Sequence, residues 1–181
     1  MNKLDLLIER YEAFVALPWQ KGLAGSQRVI FVVYDKADER RLRARIDEFE
    51  LATKKAGHGW RLIDLTDAFA EWMAAQEYRE SYFEYPEDLT TVLPEFEAHL
   101  QGRIRDAVAE CGDEDVVALS GIGSLFGFTR VSDLVKGVAN EVRGRLLVLF
   151  PGEYENNSYR LLDARDGWSY LAVPITAHQE I

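Results

Sequence analysis

The residues of this chain best suited to chemistry or recognition lie in glycine- and proline-containing segments that follow runs of apolar residues. One reads Gly-Ile-Gly-Ser-Leu-Phe-Gly-Phe-Thr-Arg from Gly121 to Arg130. A strand leading through such a loop into a helix leaves backbone N–H groups free to bind an anion, so the loop resembles a phosphate cradle. Gly121, Gly123 and Gly127 do not have dinucleotide-binding spacing, however, and no Gly-Lys-Ser or Gly-Lys-Thr occurs anywhere. An anion or nucleotide sensor is therefore the second reading of the loop, and nucleotide hydrolysis is not expected. The glycines equally permit tight turning, with Leu125, Phe126 and Phe128 either packed under a sheet or forming an exposed apolar anchor. The anchor reading is favoured. Other strand-end positions are Asp35 with Lys36, Asp64 with Thr66, and the loop from Pro151 to Ser158.

Catalytic constellations are incomplete. Ser120 sits where a strand meets a helix, but Ala118 and Ile122 occupy the positions of the hydrolase elbow glycines. A hydrolase is thus the third reading. His58, His99 and His178 do not recur at metal-ligand spacing, and carboxylate pairs such as Glu153 with Glu155 are too common here to single out. The segment Pro151 to Arg160 mixes Glu153, Tyr154, Asn156, Asn157 and Tyr159, which suit hydrogen-bonded recognition over a flat amphipathic area. The docking candidates are Gly121, Gly123, Leu125, Phe126, Phe128, Arg130, Pro151, Gly152, Glu153 and Tyr154. No catalytic residue, metal ligand or cofactor is assigned, and the expectation is a protein that is not an enzyme.

Size and charge narrow the class. The 181 residues suit one α/β domain with a net charge of -10. From Glu77 to Asp115 there are 12 acids against three bases, and from Thr129 to Arg145 four bases against two acids. An acidic surface repels phosphates, so direct nucleic acid binding is not expected, and the acidic run reads as solvated helix faces. No apolar stretch reaches membrane-spanning length, the amino terminus lacks export-signal features, and Cys111 is the single cysteine. These features point to the cytoplasm.

The elements that must hold these segments follow from periodicity. Leu4, Leu7, Ile8, Tyr11 and Val15 mark a helix over Lys3 to Val15. Strands are expected at Val29–Tyr34, Trp60–Leu65, Val116–Ser120 and Leu146–Phe150, where short runs are rich in apolar and β-branched residues. Charged amphipathic helices are expected over Asp38 to Thr53, after Thr66 as cap, and along Leu93 to Cys111 with Pro94 in the first turn. A last helix runs from a Thr129 cap to Gly144. Tyr78 to Pro86 reads as a connector. Tyr159–Leu162 and Tyr170–Ile175, separated by Asp166 and Gly167, read as a carboxyl-terminal edge hairpin. This alternation predicts a mainly parallel sheet with helices on both faces, of P-loop-like or doubly wound three-layer type without a Walker motif.

Two stretches also resemble a known family, the small BrxB proteins of bacterial BREX phage-defence systems. They are Leu119 to Arg130, and Val148 to Leu162 with Leu-Phe-Pro-Gly-Glu-Tyr followed by Tyr-Arg-Leu-Leu. The resemblance implies a non-enzymatic adaptor or scaffold in a system that methylates host DNA and restricts unmarked phage DNA. It further implies a P-loop-type fold without a working nucleotide site. Expected partners are other BREX components, chiefly an alkaline-phosphatase-like protein, with the methyltransferase as a further one.

Overall fold

A computed structural model describes residues 1–165 and 167–178. β1 (Val29–Tyr34) is buried along its whole length. It lies between β4 (Arg145–Glu155) and β7 (Val173–Ile175), both parallel to it. β3 (Asp115–Ser120) flanks β4 on the far side, and β2 (Gly59–Asp64) forms that edge, giving the parallel order β2-β3-β4-β1-β7. Side chains alternate between the two faces of a strand. Accordingly Val29, Phe31 and Val33 enter one core with Leu119, Val148 and Phe150, whereas Ile30, Val32 and Tyr34 enter another with Ala118, Leu147 and Leu149. A strand buried on both faces must be apolar at every position, which is why Val29 to Tyr34 reads as an uninterrupted run.

Helices cover both faces. α1 (Lys3–Ala16) starts at an Asn2 cap reciprocated by Asp5, and packs its Leu4–Leu7–Tyr11–Val15 stripe with α3 (Ile46–Lys55) over the second core. A short α2 (Glu39–Arg43) precedes α3. The first core is covered by α4 (Ala68–Ala74), α6 (Leu89–Glu110) and α7 (Val131–Lys136). α5 (Arg79–Glu84) carries no buried residue. The chain travels one way across the sheet from β1 to β2 beneath α3, and back from β2 to β3 and β4 beneath α6 and α7. Reversing direction and face together is what a constant crossover hand requires.

Several expectations are corrected. The helix expected over 38–53 is interrupted at Ala44 and Arg45, where the Arg45 guanidinium turns back to Asp5 at 2.7 Å and to Glu48. Pro94 lies inside α6, which begins earlier, at Leu89. Tyr78 to Pro86 is partly helical, as α5. Thr66 caps no helix, because its hydroxyl donates to Asp64 and α4 starts at Ala68. Thr129 is likewise diverted, donating to Glu97 at 2.8 Å, and Arg130 takes the cap position of an α7 that ends at Lys136.

The carboxyl-terminal edge hairpin is also redrawn. β5 (Ser158–Leu161) pairs antiparallel with β4 and with β6 (Trp168–Ser169), while β7 leaves this small sheet and joins β1. The aromatic rings explain the arrangement: Tyr159 packs 4.6 Å from Phe31 and 5.3 Å from Trp168, tying the small sheet to the first core. Asp166, assigned to the intervening turn, lies outside the described residues.

Candidate docking face at the strand carboxyl ends

Parallel pairing brings the ends of β1 to β4 to one end of the sheet, and with them Asp35, Asp64, Gly121 and Pro151. A polar network lies across this end. Asp64 Oδ1 accepts from the Thr66 amide at 2.9 Å and from its hydroxyl at 2.5 Å. Burial alone would raise the Asp64 carboxyl, but the Thr66 hydrogen bonds, the Arg43 charge and the Ser120 hydroxyl outweigh it and hold the group below its ordinary range. Alongside, the Tyr34 hydroxyl donates to Glu39, which also accepts from Arg43 Nε at 2.9 Å. Ser120 is buried and paired in register with Asp64, not beside a histidine. His58 is at the other end of the sheet, stacked 3.6 Å from Trp19, and His99 is exposed on α6.

The glycine loop has an inward and an outward side. Gly121 is left-handed at φ 74° and opens a single tight turn, Ile122–Leu125. Ile122 and Leu125 are wholly buried in the first core, so Leu125 supports the loop and is withdrawn from the docking face. Phe126, the next residue, is 49% exposed. Phe128 is half-buried and stacks on Phe69 with centroids 3.9 Å apart, whereas Arg130 is exposed. The amides of Ser124, Phe126, Phe128 and Thr129 all donate to carbonyls within the loop. Those four groups are therefore already engaged, which leaves little of the free N–H array that a phosphate cradle needs.

The segment Pro151 to Ser158 is not a loop. β4 continues through it to Glu155, turns at Asn156 and Asn157, both with positive φ at 50° and 63°, and returns as β5. Such a turn suits the right-handed twist of a hairpin, and asparagine tolerates it better than most residues. Gly152 is required by close approach, since a Cβ there would lie 2.0 Å from the Arg160 carbonyl oxygen. Glu153 pairs with Arg160 at 3.1 Å, and Tyr154 packs 4.7 Å from Tyr159 while its hydroxyl donates to Asn157. Pro151 is buried and accepts from the Leu162 amide at 2.9 Å.

The two segments meet. Gly123 lies against Pro151 and Leu162, where an added Cβ would make ordinary contacts at 3.5 and 3.6 Å. Beside this contact, between the glycine loop and the turn from β5 to β6, runs a groove of about 390 Å³ edged by Phe126, Arg130, Leu161, Arg165 and Trp168. Leu161, Arg165 and Trp168 were not among the sequence candidates; Trp168, a large aromatic beside a glycine, is the signal that could have marked them.

The sequence matches the family described as BREX protein BrxB over residues 61–175. The chain belongs to the BrxB family. Membership makes this BrxB chain a component of BREX phage defence. No curated protein and no solved structure matches it. The matched region runs from β2 to the end of β7 and contains both segments of the groove, whereas α1, β1 and α3 precede it. Among the described residues, no group of three or more His, Cys, Asp or Glu is placed to hold a metal ion. No helix there is long and apolar enough to cross a membrane.

Proposed function

We propose that this BrxB chain is a non-enzymatic adaptor that docks onto the alkaline-phosphatase-like component of a BREX system, with the methyltransferase as a further partner. The observation that carries this reading is the groove where the glycine loop faces the turn from β5 to β6, with half-exposed Phe126 beside Arg130, Arg165 and Trp168. Aromatic and arginine side chains around a recess are the usual energetic centre of a protein interface. Glu153 and Tyr154, on opposite sides of the hairpin strand, lie outside this groove. In this reading the fold is P-loop-like in plan, with a helix-covered parallel sheet whose strand ends have been given over to protein recognition. No strand is followed by the Gly-Lys-Ser or Gly-Lys-Thr of a triphosphate-binding loop. A nucleotide or anion sensor at the same loop has less support, because four of its amides are engaged internally.

Co-purification tests the adaptor reading. Phe126→Asp should weaken recovery of the phosphatase-like partner at least about tenfold, as expected for a central interface aromatic, while Glu9→Ala on the exposed side of α1 should not. Equal recovery with both variants would remove the groove as the docking site. Calorimetry with ATP, GTP and cyclic nucleotides tests the sensor reading, and heat at millimolar ligand would favour it.

A further inference from the structure

A second recess opens at the opposite end of the sheet, where β4 begins. Arg145 is 7% exposed there, and its guanidinium donates to the carbonyls of Gly144 at 3.0 Å and Gln20 at 3.2 Å. The Trp19 ring lies 4.7 Å from it. Among the described residues no carboxylate forms an ion pair with Arg145. Glu114 is nearby but lies against His58 at 3.3 Å, and Arg28, the other neighbouring cation, donates to the Val142 carbonyl at 2.6 Å. A buried guanidinium without an opposite charge is unfavourable, and two carbonyls with one indole face offset only part of that. No buried side-chain nitrogen or oxygen among the described residues lacks a partner. The Arg145 Nη1 and Nη2 atoms each have one carbonyl partner, and the side chain also lines the adjoining recess.

That recess has a volume of about 440 Å³, and its walls are mainly apolar, with Phe14, Leu17, Leu171 and Val173 beside the polar Gln20 and Gln27. Its rim leaves Leu17 60% and Leu171 80% exposed. A mainly apolar recess lined by one unneutralised cation is complementary to an anion carried on an apolar body. We propose that the recess between α1, β4 and β7 binds a carboxylate borne on an aliphatic chain, the carboxylate meeting Arg145 and the chain lying between Leu17 and Leu171. A carboxylate fits better than a phosphate because a single guanidinium fork matches one carboxylate, and no second cation is directed into the chamber. Strand addition along β7 is not the mode of capture, because Pro174 has no N–H to offer within that short edge.

Octanoate, octanol and octylamine, titrated into the whole protein with tryptophan fluorescence as the readout, test the site, and Trp19→Phe assigns the signal. Octanoate should bind at least about tenfold more tightly than octanol, the scale of a charge-assisted pair of hydrogen bonds. Arg145→Met should remove that preference. Should the Arg145 variant fail to fold, Leu171→Glu, at an exposed rim position, should weaken octanoate by a similar factor through charge repulsion. N-acetyl-leucine and its amide separate the two sources of such a group. Binding of the acid but not the amide marks the carboxyl terminus of a polypeptide as a ligand, and binding of octanoate alone marks a free fatty acid. Equal affinity for octanoate and octanol, no acid bound at about 10 mM, or octanoate binding indifferent to both Arg145→Met and Leu171→Glu would overturn the assignment.

Discussion

Gly121 and Thr66 approach so closely that a Cβ on Gly121 would lie 2.4 Å from the Thr66 amide nitrogen. This contact joins the turn after β3 to the turn after β2, and Asp64 holds the Thr66 side of it through two hydrogen bonds. Gly121 is also left-handed, so alanine there meets a backbone atom that cannot yield and a φ it disfavours. Gly121→Ala should destabilise the protein by about 2–4 kcal/mol. Gly127→Ala, at φ 85° in open space, should cost only about 1 kcal/mol. Urea denaturation of the two variants measures the difference, and equal losses would show that close approach contributes nothing.

Leu125 and Phe126 are neighbours with opposite duties. Leu125→Ala should cost about 2–5 kcal/mol, because it leaves a cavity in the first core. Phe126→Ala should shift the denaturation midpoint by less than about 1 kcal/mol, since half of that ring already faces water. The pair separates loss of folding from loss of partner binding.

In the second core, the Thr53 hydroxyl donates to the Phe49 carbonyl at 2.8 Å and sits 2.6 Å from the buried Tyr11 hydroxyl. A hydroxyl has one proton to give, so Tyr11 is the donor to Thr53. Thr53→Val should therefore cost about 1–3 kcal/mol by stranding a buried phenol, and Tyr11→Phe only about 1 kcal/mol. The double variant should be more stable than the sum of the two losses implies, and a double-mutant cycle under denaturant reads that coupling.

Burial pushes the Tyr11 phenol up from 10.0 to about 12. Tyr34 and Tyr159 are raised in the same direction, again chiefly by burial. Above pH 10 the unfolded chain loses these protons while the folded chain keeps them, so stability falls as pH rises from 10 through the folded value near 12. Equilibrium unfolding followed by circular dichroism between pH 9 and pH 12 should show that decline. Tyr11→Phe should make it shallower.

How much of this was legible depends on how local the determining forces are. α1 and β1 were readable almost to the residue, because a single stripe at Leu4, Leu7, Tyr11 and Val15 and an unbroken run at Val29–Tyr34 each have one solution. The membership of the glycine loop at a strand end was readable too. Its inside and outside were not, since only the tight turn Ile122–Leu125 decides that Leu125 points into the core and Phe126 away. Pro151 and Gly152 look like a loop because turns favour those residues. Here Pro151 is the last residue paired with β1, where its missing N–H is tolerated, and Gly152 makes room for Arg160. The break at Arg45 depends on Asp5, forty positions away in the chain, and no local pattern reports it.

β4 is one unbroken strand whose first half lies between β1 and β3 and whose second half forms a side of the small antiparallel sheet. Anything that grips the hairpin therefore pulls along a backbone rooted in the middle of the main sheet, and the load is shared by the parallel hydrogen bonds to both neighbours. The hairpin is a handle fixed to the frame, and a protein held by it cannot swing freely with respect to its holder.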